Sequence, residues 1–355
     1  MTDPSDPRTH LPGLDGLRGL AVVIVLVSHL ANGGMLPAVL GQGFGRLGVA
    51  LFFGLSGLLM ARLYLHRPVD RADLWEYAVR RCARVLPLFY AALVLGGIMA
   101  LWDLQPYEQH GPQDMAWAAA LVHGTGVLWS IPVEIQFYVV FAGLWWCASR
   151  GYLAAALLAA LAVQAAVGLA VIATTGFGER MEHTYNLAFW MHFFAVGTML
   201  GALSTRPAFA RAFGAHGAGA ALVSACLIGA IVLVPPGIRL ALDLPRLPAF
   251  GDPIGAGYML LLLIAVLYGY GLTRLFAVWP MRWLGQVSFS VYLLHMPALV
   301  MVETLLPSLA PAGQAVLVVA ATLGASALSE RWIERVAQRV ILSRLLPRCR
   351  PAEAA

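Results

Sequence analysis

Lysine is absent from the 355 residues, so all 23 positive charges are arginine. That excludes Schiff-base chemistry, lysine nucleophiles and a phosphate-binding P-loop, whose motif needs a lysine. Charge is scarce altogether: 12% of residues are charged, against roughly 25% in an ordinary soluble domain, while 60% are hydrophobic and the mean hydropathy is +0.77. The composition is that of an integral membrane protein. Cysteine is sparse too. Cys82, Cys147, Cys226 and Cys349 show no C-x-x-C and no metal-type spacing with histidine, so neither a disulfide scaffold nor a metal site is expected.

Apolar stretches of about 17 to 25 residues, the length that crosses a hydrocarbon core of roughly 30 Å, fill most of the chain. Ten spans are predicted, near 17–36, 44–65, 83–103, 131–148, 152–174, 186–204, 217–234, 256–276, 287–306 and 313–332. The fold class is therefore all-α and polytopic. A shorter apolar piece, 115–128, cannot span and reads as a re-entrant or interfacial segment. With both termini cytoplasmic, ten spans leave only Arg46, Arg180, Arg239 and Arg246 outside, and an eleven-span alternative would strand Arg150 and the C-terminal arginines on the wrong side. The net charge of +5 thus encodes topology, and no nucleic-acid partner is expected. The first ten residues are polar and no small-residue cleavage site follows the first apolar run, so the first helix is read as retained. The expected organisation is a cytoplasmic segment 1–13, one membrane domain 14–336 and a cytoplasmic arginine-rich tail 337–355.

Ionisable groups inside spans mark candidate chemistry, because a charge at the bilayer centre costs at least about 2.5–3.5 kcal/mol. Three regions stand out. In the first span Arg18 and His29 lie eleven residues apart, which returns them to within roughly 20° of one helix face with a rise of about 16 Å. A snorkelling arginine and a histidine satisfied by a neighbouring helix would give the same pattern. The fourth span opens Trp129-Ser130-Ile131-Pro132-Val133-Glu134 and continues to Tyr138. Here Ser130 reads as a cap ahead of Pro132, and Glu134 as one turn inside the outer face, level with His29. The bland reading is a capping box in an aromatic belt. At the inner end of the third span, Arg81 and Arg84 share a face and suit forked contacts to phosphate oxygens, or equally plain cytoplasmic anchoring and anionic-lipid contact.

Together these stretches resemble the acyltransferase-3 family of integral membrane acyltransferases. The matching residues are Leu14-Asp15-Gly16-Leu17-Arg18-Gly19 with His29 downstream, Phe52-Phe53-Gly54-Leu55-Ser56-Gly57, Arg81-x-x-Arg84-x-x-Pro87, Trp129-Ser130-x-x-x-Glu134-x-x-Phe137-Tyr138, and Ser288-Phe289-Ser290-Val291-Tyr292-Leu293-Leu294-His295-Met296-Pro297. The chain departs from the pattern at Gly54, where a hydrophobic residue is usual, and at Ile333-Glu334-Arg335-Val336, where the family has proline at the last position. The resemblance implies transfer of an acyl group, acetyl by default, from cytoplasmic acyl-coenzyme A to a hydroxyl of an extracytoplasmic glycan, glycolipid or macrolide-type metabolite, in a bacterial inner membrane. Larger members carry an added SGNH hydrolase domain. This chain shows none, so any hand-off is expected within the membrane domain.

The residue chemistry is compatible with that activity on its own terms. A histidine is suited to serve as general base for an acceptor hydroxyl, Glu134 would orient the His29 imidazole, and a covalent acyl-histidine relay remains open. Arg18, Arg81 and Arg84 would hold the donor, and Asp15, Ser130, Trp129, Tyr138, Ser288, Tyr292 and His295 would support the site. A thioester is already activated, so neither a bound cofactor nor a metal is expected beyond acyl-coenzyme A as co-substrate. Asp15 is expected to pair with Arg18 or another arginine. The His10-x4-Asp15 spacing of phospholipid acyltransferases is discounted because Pro12 and Gly13 intervene. Gly54-Leu55-Ser56-Gly57 reads as helix packing rather than a nucleophile elbow, as do Gly197 and Gly201. The rival from another class is a polytopic transporter, disfavoured by the lack of paired repeats.

Overall fold

In the computed structural model, residues 10–109, 111–175, 187–214 and 253–346 are described, and they form helices with no strand among them. The helices are α1 (Pro12–Asn32), α2 (Gly45–Tyr64), α3 (Arg71–Ala100), α4 (Pro112–Ala119), α5 (Ser130–Ala148), α6 (Leu153–Thr175), α7 (Leu187–Ser204), α8 (Pro207–Gly214), α9 (Pro253–Tyr268), α10 (Trp279–Gln286), α11 (Ser288–Leu305), α12 (Pro311–Ser329) and α13 (Arg335–Leu345). Among the described residues eight helices are long and apolar enough to cross a membrane, or nine if Gly255–Tyr268 and Gly271–Ala277, bent by 70°, count as one broken span. Nine of the ten expected spans correspond to these. The tenth, 217–234, lies outside the described residues, as do Arg180, Arg239, Arg246, Cys226 and Cys349.

α1 is the axis of the bundle. Leu14, Leu17, Ala21, Val22 and Val25 are buried at helical spacing, and the helix touches α2, α9, α10 and α11. Its glycines allow this. A Cβ at Gly16 would lie 1.8 Å from the Phe276 carbonyl oxygen, and one at Gly19 would lie 2.5 Å from that of Met281. Gly16 and Gly19 therefore press the chain around Arg18 against neighbouring backbone, which fixes where the arginine points.

α2 and α7 meet in the same way. A Cβ at Gly197 would stand 1.9 Å from the Gly54 carbonyl oxygen, one at Gly57 2.3 Å from that of Phe194, and one at Gly201 2.5 Å from that of Leu58. The packing role expected of Gly54, Gly197 and Gly201 is what the structure shows, in the manner of small-residue contacts between membrane helices. Phe194 stacks on Phe53 and Phe137 beside this seam, with ring centroids 4.5 and 3.9 Å apart.

Three boundaries differ from expectation, each for a physical reason. α3 begins at Arg71, not near 83, because Asp70 and Asp73 form a reciprocal capping box. Its 30 residues make a rod of about 45 Å, longer than the roughly 30 Å hydrocarbon core. α5 begins at Ser130, not Pro132, continuing from a 3-10 turn Gly126–Trp129 whose Val127, Leu128 and Trp129 are buried. Finally, α12 does not stop at the missing proline. Val336 lets the backbone run on through a π-turn, Glu330–Glu334, directly into α13.

Because the α2–α7 seam is backbone against backbone, Gly197→Ala should destabilise the detergent-solubilised protein by about 1–3 kcal/mol. Gly257→Ala, on α9 with nothing within 4 Å of the added Cβ, should be neutral or slightly stabilising. Thermal unfolding of the two variants checks the contrast.

Candidate active site

One cavity gathers most of the polar residues singled out from the sequence. It has a volume of about 220 Å³, and Arg18, Arg81, Arg84, Ser130, Glu134, Tyr138, Ser288 and Tyr292 line it together with Ser56 and apolar side chains of α2. Each helix contributes for a local reason. Arg18 is held by the close-packed start of α1, and Arg81 and Arg84 project from one face of α3. Glu134 enters just after the first turn of α5.

Glu134 is fixed by two hydroxyls. Tyr138 donates to its Oε1 at 2.6 Å and Ser56 donates to the same oxygen at 3.1 Å. The three arginines, by contrast, make no salt bridge among the described residues. Arg18 experiences the repulsion of Arg84 and the attraction of Glu134, but at a distance. The buried Nε of Arg81 has no hydrogen-bond partner. The cavity thus presents three guanidinium groups with donors available and only one carboxylate on its wall. Beneath Arg81, Tyr64, Tyr77, Phe141 and Trp145 form a ring cluster, in which Tyr77 donates to the Tyr138 carbonyl at 2.9 Å and Trp145 Nε1 to that of Arg67 at 3.0 Å.

His29 does not line this cavity and is not hydrogen-bonded to Glu134; the expected pairing of the two is corrected. Gly45, at the start of α2, abuts His29, whereas Ser56, eleven residues further along the same helix, bonds Glu134. Eleven helical residues rise about 16 Å, so Glu134 is level with Arg18 rather than with His29. The reason is the buried turn Gly126–Trp129, which starts α5 inside the protein instead of at its surface.

His29 has another partner. Its Nδ1 lies 2.9 Å from the Val25 carbonyl oxygen and 3.3 Å from Nε2 of His295 on α11, and His295 is wholly buried. His295 was expected at the donor cavity beside Ser288 and Tyr292. Those two do line it, and His295 lies one turn beyond Tyr292, with ring centroids 6.2 Å apart. Tyr292 donates to the Val127 carbonyl at 2.8 Å and meets Phe52 edge-on at 6.2 Å, so this aromatic pair stands between the arginines and the histidines. Tyr107, in the loop before α4, is fully buried and donates to the Leu293 carbonyl at 2.8 Å; burial pushes its phenol up and keeps it a donor.

Other expectations are corrected by the structure. Asp15 accepts from His10 at 2.8 Å rather than pairing with an arginine. His10 precedes the helix, and extended Leu11 turns it back over the first turn, so Pro12 and Gly13 do not prevent the contact; the pair is largely exposed and away from the cavity lining. Ser130 caps nothing, reaching only the Val127 carbonyl at 3.5 Å. Trp129 is buried against Phe53 and Trp190 instead of sitting in an interfacial belt. His192 bonds Gln164 at 2.7 Å and ties α6 to α7. Glu334 was read only as a terminator, yet the π-turn aims it at the Ser290 hydroxyl and into the field of Arg84 and Arg18. Its place in the family's closing motif was the available signal.

A family model described as an acyltransferase domain matches residues 11–331. The chain belongs to the acyltransferase-3 family. As a member it is an integral, multi-pass membrane O-acyltransferase. It is similar to a protein named membrane-bound transacylase BcsY of Komagataeibacter xylinus, at 29% identity over 84% of this chain and 76% of that one. It is also similar to the peptidoglycan O-acetyltransferase OatA of Listeria monocytogenes, at 25% identity over 92% of this chain, and to the O-acetyltransferase OatA of Staphylococcus aureus, at 30% over 38%. The acyltransferase spans 56% of the Listeria protein's length and 24% of the Staphylococcus protein's. No solved structure matches it.

Since Tyr138 is buried and donates to Glu134, Glu134→Ala should leave its hydroxyl unsatisfied and lower stability by about 1–3 kcal/mol. Glu134→Gln, which keeps an acceptor oxygen, should lose much less. Denaturant unfolding in detergent distinguishes the two variants, and equal losses would contradict this role for the carboxylate.

Proposed function

We propose that the acyltransferase takes an acyl group, acetyl by default, from acyl-coenzyme A on the cytoplasmic side of a bacterial inner membrane. The acceptor is a hydroxyl presented from the extracytoplasmic side by a carbohydrate, a glycolipid or a macrolide-type metabolite. The observation that carries this reading is the cavity in which Arg18, Arg81 and Arg84 meet without salt bridges. Such a site fits a polyanionic donor, because guanidinium forks match phosphate oxygens. At about 220 Å³ it is smaller than the roughly 300–1,000 Å³ of a pocket that encloses a whole drug-sized ligand, which fits the reaching arm of a long donor rather than all of it. The arginine-rich inner ends of the helices support the cytoplasmic placement of this mouth, and the names of the OatA relatives support a carbohydrate acceptor.

His29 is the general base in this reading. Its Nε2 takes the proton of the acceptor hydroxyl while the oxygen attacks the thioester carbonyl. A C–O bond forms, the C–S bond breaks, and the coenzyme A thiolate leaves with the proton returned by the imidazolium. The arm must pass Phe52 and Tyr292 to reach the histidine. Glu134 serves the arginine cavity in this account, not the imidazole. Membership of an acyltransferase family favours this enzyme over a carrier reading of the same bundle.

The test is the purified chain in liposomes with labelled acyl-coenzyme A and a panel of glycan and glycolipid acceptors. Label should reach an acceptor, His29→Ala should reduce turnover by about 10²–10⁴-fold, and Arg84→Gln should raise the donor KM at least about tenfold, the effect of losing about 1.4 kcal/mol of binding. Acceptor flux across the bilayer without acyl transfer would overturn the proposal.

A further inference from the structure

Two histidines from different helices face each other in the outer part of the bundle, and their hydrogen bonds have one consistent assignment. A carbonyl oxygen only accepts, so Nδ1 of His29, 2.9 Å from the Val25 oxygen, carries its hydrogen. Nδ1 of His295, 3.1 Å from the Val291 oxygen, does likewise. Neutral imidazole has a single N–H, so Nε2 of both rings is a lone pair. The contact at 3.3 Å is then a donation from His29 Nδ1–H, shared with Val25, to His295 Nε2. The rings sit 4.9 Å apart and tilted by 57°, so His295 also braces the plane of His29. The outcome is that His29 Nε2 is the free lone pair of the couple, and it has no hydrogen-bond partner among the described residues.

We infer that His295 is a positioning residue that, as second acceptor of the His29 Nδ1–H beside the Val25 carbonyl, fixes the plane of the His29 ring with Nε2 free to accept a proton, and that shares the hydrogen of the imidazolium once it forms. This rests on the reading of His29 as the base. His295 is wholly buried and cannot itself touch an acceptor. A neutral imidazole in this place does the orienting work for which soluble hydrolases use a carboxylate, without adding a charge to the membrane interior. Its own acceptor geometry is set from α11, where Tyr107 holds the Leu293 carbonyl two residues away.

The experiment compares His295→Phe and His295→Gln in the full chain reconstituted in liposomes. Phenylalanine fills the space without an acceptor, whereas glutamine offers an oxygen near the position of Nε2. His295→Phe should lower kcat at least about tenfold, part of what a general base supplies, with the donor KM unchanged, and His295→Gln should recover most of that loss. Solid-state NMR with 15N-labelled histidine, the His29 resonances identified by their loss in His29→Ala, should show His29 protonated on Nδ1 in both proteins, held by the Val25 carbonyl, with the Nδ1 resonance shifted in His295→Phe by loss of the second acceptor. An Nδ1 resonance unchanged in His295→Phe, or equal kcat losses in both variants, would overturn the inference. Should His29→Ala retain full turnover, the base assignment fails instead, and the NMR measurement still reads the histidine couple on its own.

Discussion

Three guanidinium groups facing one small cavity inside a membrane bundle are the constraint around which the rest of this protein is arranged. Taking each charge out of bulk water is costly, and no salt bridge among the described residues offsets it. What offsets it in part is distributed. Glu134 faces them across the cavity, Glu334 lies within their field from the π-turn, and polar oxygens of Ser56, Ser130 and Ser288 line the wall. Holding like charges in register also needs stiff supports. That is where the backbone-to-backbone contacts of Gly16 and Gly19 act, and where the aromatic floor under Arg81 acts.

The structure separates two kinds of chemistry along α1. Arg18 belongs to the arginine-lined cavity and His29, about 16 Å further along the same helix face, to the histidine couple. Phe52 and Tyr292, which meet edge-on, stand between them. In the proposed reaction this division separates the charged end of the donor from the base. It also makes passage of the thioester past the aromatic pair a necessary step of the proposed reaction. Tyr292 links the two halves physically, since its ring lines the cavity and its helix carries His295 one turn later.

Much of this was legible in the residues. Span-length apolar runs located nine of the helices, and the i, i+3 spacing of Arg81 and Arg84 placed both on one wall. The eleven-residue interval of Arg18 and His29 gave one face of α1, and the glycines of α2 and α7 announced close packing. What was illegible was depth. Span length alone puts the start of α5 at the membrane surface, and only the burial of Val127, Leu128 and Trp129 shows the chain dipping inward first, which carries Glu134 about 16 Å from His29. Contacts between helices distant in sequence were equally hidden. Nothing in the neighbourhood of His29 identifies His295, 266 positions later, as its partner. The helical continuation through Glu330–Glu334 follows from the absence of proline at position 336, yet the aim of Glu334 toward Ser290 depends on the π-turn itself.

The most direct test is a cryo-electron microscopy map of the full chain in lipid nanodiscs saturated with coenzyme A. The account predicts phosphate density against Arg81 and Arg84, with the pantetheine arm running past Arg18 toward Tyr292 and away from the aromatic floor. Phosphate density on another surface, or an arginine cavity left empty at saturating coenzyme A, would contradict it.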